Sequence, residues 1–217
     1  MKRFITFNNY NTAYDWGLLL TAKDLTNPEP KTNYQELGGV SGTIDLTEAL
    51  TGEVAYSDRT LTASFSLSEG TVPEREVVLN TITAALHGKS VHIVEPDAPG
   101  HYLIGRVKVL NKVSTHALTT FDIEATCKPW RYSLEESNRI VQVKRSSVDV
   151  VIHNGGGLTV CPVITVKGTA SITDNGVTTE LTEGSYKITD IRLKPGANVI
   201  GVNGTGTVTF TYREAVL

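Results

Sequence analysis

Between Thr60 and Leu67 the chain alternates without a fault. Leu61, Ala63, Phe65 and Leu67 fall on one side, and Thr60, Thr62, Ser64 and Ser66 on the other. That two-residue period belongs to a half-buried strand, so a sheet with one apolar face has to be built around it. The residues before it have a different character. Gly38, Gly39 and Gly42 permit backbone angles that a β-carbon would forbid, and Ile44-Asp45-Leu46-Thr47 then leads to Gly52 and to Tyr56-Ser57-Asp58-Arg59. A long, glycine-hinged excursion is therefore pinned to a well-patterned strand.

Around this pair the first half of the chain reads as a sheet with one helix. Phe4 to Tyr14 alternates poorly, with Asn8-Asn9-Tyr10-Asn11 expected to be a turn or arm outside the core, while Asp15 to Leu20 gives a short buried strand entered through Trp16. Pro28 and Pro30 remove donors and force extended geometry, which makes Asn27–Thr32 a loop. One helix is predicted from about 73 to 87. Pro73 suits its first turn, Thr71 precedes it as a cap, Glu74 and Glu76 complement its positive end, and Gly88 stops it. Val78, Leu79, Ile82, Ala85 and Leu86 share a stripe that should lie on the sheet. Strands are expected at Val91–Val94, Tyr102–Val113 and Ala117–Thr126, the first two separated by the breaker-rich turn Glu95-Pro96-Asp97-Ala98-Pro99-Gly100.

The pattern stops at Cys127-Lys128-Pro129-Trp130-Arg131-Tyr132-Ser133, and the polar run Glu135–Arg139 follows. The boundary is placed here, giving domains 1–132 and 133–217. The second domain is a series of short strands and tight turns. Turns are expected at Asn154-Gly155-Gly156-Gly157, Lys167-Gly168 and Asn203-Gly204. Asp174-Asn175-Gly176 carries the strongest short-range hairpin signal of the chain. Turn signals about every 8 to 12 residues, with no helical period between them, indicate an antiparallel β-sandwich.

Composition narrows the function. The chain has 217 residues and a net charge of -3, which suggests neither disorder nor a broad electrostatic grip on nucleic acid. Phe4–Tyr10 breaks off before any signal-peptide apolar stretch, and no run approaches the roughly 20 residues that cross a bilayer. Cys127 and Cys161 are the only cysteines and are expected to be reduced.

A search for reactive groups finds no catalytic, cofactor-binding or metal site. His87, His92, His101, His116 and His153 form no metal-ligand spacing, and the glycine clusters open no helix that could cradle phosphate. No Gly-x-Ser-x-Gly elbow exists, and Asp122 and Glu124 read as a solvated strand face. Tyr56, Asp58 and Arg59 could instead serve assembly. A bidentate arginine beside an acid fixes an intersubunit register well. The equal alternative is an intrachain turn, with Asp58 capping backbone and Arg59 free in water. Trp130 and Tyr132 would, in the simplest reading, pack the linker against a neighbour.

The glycine-rich turn, the Ile-Asp-Leu-Thr step, the Gly-x-x-x-Tyr-x-x-Arg passage and the alternating strand, in that order, resemble the N-terminal domain of the distal tail proteins of long non-contractile-tailed bacteriophages. Pro129 with Trp130 at the close of the first domain, and Pro195-Gly196-Ala197-Asn198-Val199-Ile200 before the last strand, fit the same family. The resemblance implies a mainly β fold: a tail-tube-like β-sandwich with one α-helix, followed by a galectin-like antiparallel β-sandwich. It also implies a structural virion protein whose copies close into a hexameric ring hub at the tail tip. That ring would join the tail-tube protein, the tape-measure protein and a tail-associated fibre or lysin protein, after assembly in the host cytoplasm. On this reading Gly38, Gly39, Gly42, Tyr56, Asp58, Arg59 and Trp130 are candidate subunit or partner contacts, with no cofactor, membrane or sequence-specific nucleic acid involved. Two alternatives remain: a carbohydrate-binding host-recognition module in the second domain, and the tail-tube protein itself.

Overall fold

A computed structural model describes residues 3–39 and 41–217. The chain forms two compact units, Met1–Arg131 with Leu217, and Tyr132–Val216. All strand pairings described below are antiparallel.

Unit 1 contains β1 (Thr6–Phe7), β2 (Tyr10–Asn11), β3 (Leu19–Leu25), β4 (Tyr34–Glu36), β5 (Thr43–Asp45), β6 (Arg59–Leu67), α1 (Val72–Leu86), β7 (Ser90–Val94), β8 (His101–Ser114) and β9 (Thr119–Cys127). The main sheet runs β2-β1-β7-β8-β9-β6-β3, with β6 between β9 and the edge strand β3. The period of β6 sets the register. Leu61, Ala63, Phe65 and Leu67 are all buried, and Phe65 sits opposite Phe121 of β9, their rings stacked at 5.8 Å. Each fully buried Leu or Phe is worth about 1.5–3 kcal/mol, which adds to the backbone ladders that β6 makes with β9 and β3.

α1 closes this core. The Glu74 carboxylate accepts from the Thr71 backbone N–H and hydroxyl, and Pro73 fills the first turn. Leu79, Ile82 and Leu86 are buried against the sheet together with Arg75. Arg75 lies on the same stripe, and its guanidinium donates to the carbonyls of Gly70, Thr115 and His116 and to the Thr119 hydroxyl. The helix thereby pins the β8–β9 connection.

The turn expected within Asn8–Asn11 is present at Asn8-Asn9, between two short paired strands. Ile5 and Phe7 are core residues, because Asn8 takes a positive φ of 52° and turns the chain back so that β1 adds to β7. Two-residue strands are too short to show a period. Trp16 is buried as expected, but the strand starts later, at Leu19, since Gly17 (φ 66°) bends the chain between them.

Unit 2 contains, after β10 (Arg131–Ser133), the strands β11 (Ser137–Lys144), β12 (Val148–Asn154), β13 (Val163–Asp174), β14 (Val177–Leu181), β15 (Gly184–Lys187), β16 (Gly196–Tyr212) and β17 (Ala215–Val216). The polar run Glu135–Arg139 is thus partly strand. β13 and β16 are the spine. One end of β16 pairs with β11 and the other with β12, while β13 pairs with β15 at one end and β14 at the other. Ile164, Val166, Ala170 and Ile172 on β13, with Ile200, Val202, Val208 and Phe210 on β16, all point to one face and into one core. One face can close on itself only if the sheet folds over, which makes two layers from a single sheet.

The fold-over corrects two predicted turns. Neither Lys167-Gly168 nor Asn203-Gly204 reverses the chain; both lie inside continuous strands. Gly168, Gly204 and Gly206 have φ of 112°, 140° and 118°, and a Cβ at any of them would lie about 2 Å from a carbonyl oxygen of the facing strand. Glycine is needed there to bend the ladder. At Asn175-Gly176 the hairpin is real: Asp174 pairs with Val177, and both loop residues take positive φ. The mainly β architecture with one helix agrees with the sequence reading.

Candidate assembly surface

Arg59 begins β6, and the structure gives it neither of the roles expected from the sequence. It is 2 % exposed and donates through Nε to the Thr26 carbonyl and through Nη1 to the Pro129 carbonyl, each at 3.1 Å. It is neither free in water nor presented outward. Burial lowers its pKa, and the neighbouring Arg131 adds to that. Tyr56 and Trp130 meet over the same seam in an edge-to-face contact at 5.6 Å. Three of the predicted residues are therefore brought together, with Tyr56 and Trp130 half-buried. Asp58 is exposed beside them.

Gly38, Gly39 and Gly42 lie elsewhere, in the connection that closes the β4–β5 hairpin. Gly39 and Gly42 both have φ of 86°, so the left-handed conformation that glycine serves is used there. Val40, within the same connection, falls outside the described residues. The hairpin and the turn after it form an arm with almost no cover. Every described residue from Lys31 to Asp45 is exposed, and Leu50 is 96 % exposed. Its strands face solvent on both sides, with Tyr34, Leu37 and Ile44 exposed too. Asp45 accepts from the Thr47 hydroxyl and backbone N–H, which hold its carboxyl below the usual carboxylate range and keep it charged. An isolated two-stranded hairpin is marginal in water, so an arm of this kind gains order when another surface covers it.

Unit 1 also holds an ion cluster centred on the buried Glu95 that the sequence did not announce. Glu95 is 2 % exposed, and its two oxygens accept from Lys23 Nζ and, at 2.9 Å, from Arg131 Nε. Lys23 also meets Asp97 at 2.8 Å, and Asp97 meets Arg3 at 2.7 Å. The Asp97 carboxyl is held below its usual range, chiefly by the hydrogen bond from Lys23. Burial of these charges is compensated within unit 1, so the cluster acts as a structural lock. Lys23 and Glu95 are far apart in sequence, and no motif links them.

Among the described residues no group of three or more His, Cys, Asp or Glu side chains is placed to hold a metal ion. Asp122 accepts from Ser64 and Asn111, whose hydrogen bonds lower its pKa, and Glu124 accepts from Lys108. Both cysteines are free thiols, and burial pushes Cys127 up to about 12. No helix among the described residues is long and apolar enough to cross a membrane.

A similar fold occurs in a solved structure. The Dit protein of phage SPP1, described as a paradigm of the hub adsorption apparatus of phages that infect Gram-positive bacteria, superimposes with a TM-score of 0.67 at 15 % sequence identity. The match covers 97 % of this chain and 98 % of that one. No protein-family model and no curated protein matches the sequence. The chain therefore has the Dit fold over nearly its whole length.

Proposed function

We propose that this protein is a distal tail protein: a structural component of the virion of a long, non-contractile-tailed phage, acting at the tail tip. Its copies close head-to-tail into a hexameric ring hub. The ring joins the tail-tube protein, the tape-measure protein and a tail-associated fibre or lysin protein, and it assembles in the host cytoplasm. Its work is positioning and symmetry adaptation, and no bond is made or broken. The reading is carried by one observation, the near-complete match to SPP1 Dit with little of either chain left over. Fold alone does not dictate function, so the surfaces supply the second line of support.

Those surfaces suit a heterologous contact that closes by rotation. β3 ends the main sheet of unit 1 with an open edge that is only partly protected, by the bulge between Leu20 and Ala22 and by the charges of Lys23 and Asp24. The arm around Gly38, Gly39 and Gly42 is exposed on all sides, and the Tyr56–Trp130 pair lies half-buried above Arg59. Each is a feature that a second copy would cover.

Size-exclusion chromatography with light scattering, followed by negative-stain imaging of the full chain, tests the proposal. Single rings of six copies are the expected result. Extended tubes would favour a tail-tube protein instead, and a strict monomer at millimolar concentration, alone and with candidate tail partners, would refute the ring.

A further inference from the structure

An asparagine followed by glycine invites attack of the backbone amide on the neighbouring side chain, because glycine puts no Cβ in the way and lets the chain turn. The chain has three such steps, Asn154-Gly155, Asn175-Gly176 and Asn203-Gly204. The fold treats them differently. Asn154 is 1 % exposed; its Nδ2 donates to the carbonyls of Leu158 and Leu193, and its Oδ1 accepts from the Gly156 N–H. Asn203 and Gly204 are ladder residues of β16 opposite Ser171 and Ala170 of β13, and a Cβ at Gly204 would lie 2.1 Å from the Thr169 carbonyl oxygen. At neither step can the following amide reach the side chain without breaking native contacts.

Asn175 and Gly176 are free of such restraint. They form the two-residue loop between Asp174 and Val177, with φ of 48° and 81°, and both are exposed. Nothing lies within 4 Å of the place a Gly176 Cβ would occupy. Residues at such a loop tip stand outside the ladder and open at little cost. Asp174 adds a second feature. Its Oδ1 accepts from Asn175 Nδ2 at 3.0 Å, while its Oδ2 is, among the described residues, a buried side-chain atom with no hydrogen-bond partner. The Asn175 amide is therefore the donor on which this half-buried carboxylate depends.

We propose that Asn175 is a site of spontaneous modification, and that its product releases the β13–β14 hairpin. The Gly176 backbone nitrogen bonds to Asn175 Cγ as the Cγ–Nδ2 bond breaks. The proton lost from the Gly176 nitrogen leaves with Nδ2 as ammonia, and a succinimide ring remains. Water then adds to one of the two ring carbonyls, and the ring C–N bond that breaks there leaves either aspartate or isoaspartate. Aspartate replaces the donor to Asp174 by a second carboxylate, so like charges meet where a hydrogen bond stood. Isoaspartate adds a backbone carbon to a loop whose two-residue length sets the register of the hairpin.

Holding the full chain in warm, mildly alkaline buffer and digesting samples with trypsin tests this. The three sites fall on separate peptides: Ser146–Lys167 carries Asn154, Gly168–Lys187 carries Asn175 and Leu193–Arg213 carries Asn203. Mass spectrometry reads the small gain by which a carboxyl exceeds an amide. Asn175 should convert at least about tenfold faster than Asn154 or Asn203, because those two must wait for buried contacts or a ladder to open. In denaturant the three should convert at similar rates, which assigns the difference to the fold. Native conversion of Asn154 or Asn203 as fast as that of Asn175 would overturn the assignment, and so would a native Asn175 that stays intact while the unfolded chain converts. Asn175→Asp stands for the aspartate product and keeps a residue suited to the loop. Its amide hydrogens in β14 should exchange several-fold faster than those of wild type, and adding Asp174→Asn should restore the wild-type rate by removing the like charge. Unchanged exchange in Asn175→Asp, or no recovery in the double variant, would overturn the release of the hairpin.

Discussion

Replacing Gly206 by alanine tests whether unit 2 is one folded-over sheet or strands joined by turns. Gly206 has φ of 118°, a region that only glycine occupies without strain, and a Cβ there would lie 1.9 Å from the Lys167 carbonyl oxygen. The backbone strain alone costs about 1–3 kcal/mol. The overlap is with backbone, so β13 and β16 must separate at their bend, which removes ladder bonds and opens the core beneath Val166 and Val208. The combined cost should exceed about 4 kcal/mol, comparable with the whole stability of a small unit. At about 4–8 °C per kcal/mol for a unit of this size, unit 2 should melt roughly 20 °C lower or fail to fold. Gly176→Ala is the control: φ is 81°, nothing lies within 4 Å of its Cβ, and only strain of about 1–2 kcal/mol applies. Hydrogen exchange read on peptides covering β11 and β13 of the full chain, with circular dichroism, measures the loss. Trp16 and Trp130 belong to unit 1, so their fluorescence shows whether that unit is spared. If Gly206→Ala costs no more than Gly176→Ala, then Asn203-Gly204 behaves as a flexible turn and the continuous-strand description is wrong.

Arg75→Met should destabilise unit 1 by about 3 kcal/mol, since the carbonyls of Gly70, Thr115 and His116 lose a charged donor, and a denaturant midpoint unmoved from wild type would show that water replaces it. Glu95→Gln keeps the shape but leaves Lys23 and Arg131 short of their shared carboxylate. A loss of about 2–3 kcal/mol is expected, less than for a fully enclosed pair because Arg131 is partly exposed and Asp97 still holds Lys23, and an equal or higher melting temperature would refute the lock. Cys127 should resist alkylation in the native chain while Cys161 reacts. With its folded pKa raised from 9.0 to about 12, the stability tied to Cys127 is complete below pH 9 and falls by about 1.4 kcal/mol per pH unit above it. Wild type should therefore lose more stability than Cys127→Ala between pH 9 and 10, and parallel losses in the two would refute this.

What could be read from the chain follows from how far each signal reaches. The alternation of β6 and the Asn175-Gly176 hairpin are local, and both appear in the structure where their residues indicate. Arg75 shows how a local signal can be hidden. It occupies the same helical stripe as Leu79, Ile82 and Leu86, but a charged residue is ordinarily read as solvent-facing, and only the carbonyls gathered from Gly70 and the β8–β9 connection make its burial tolerable. Gly168 and Gly204 signal turns in the sequence but lie inside strands, because glycine reports permission for an unusual φ without saying what uses it; a turn and a bend within a long ladder require the same freedom.

At the candidate surface the difference is sharper. Gly39 and Gly42 do adopt the left-handed angles that their positions suggested, and Tyr56 and Trp130 do meet. For Arg59 the local pattern leaves an intersubunit contact and a solvent-exposed side chain equally open, whereas in the structure it donates to the carbonyls of Thr26 and Pro129, distant parts of the chain that no local pattern connects to it. The cluster of Lys23, Glu95 and Arg131 is hidden for the same reason. A buried charge is compensated by whatever the fold brings beside it, so its position is a property of topology. Exposed features behave in the opposite way. The uncharged run of α1 after Glu76 and the acidic, glycine-hinged arm are each contiguous in sequence and exposed, so each can be read from one segment without knowledge of the topology.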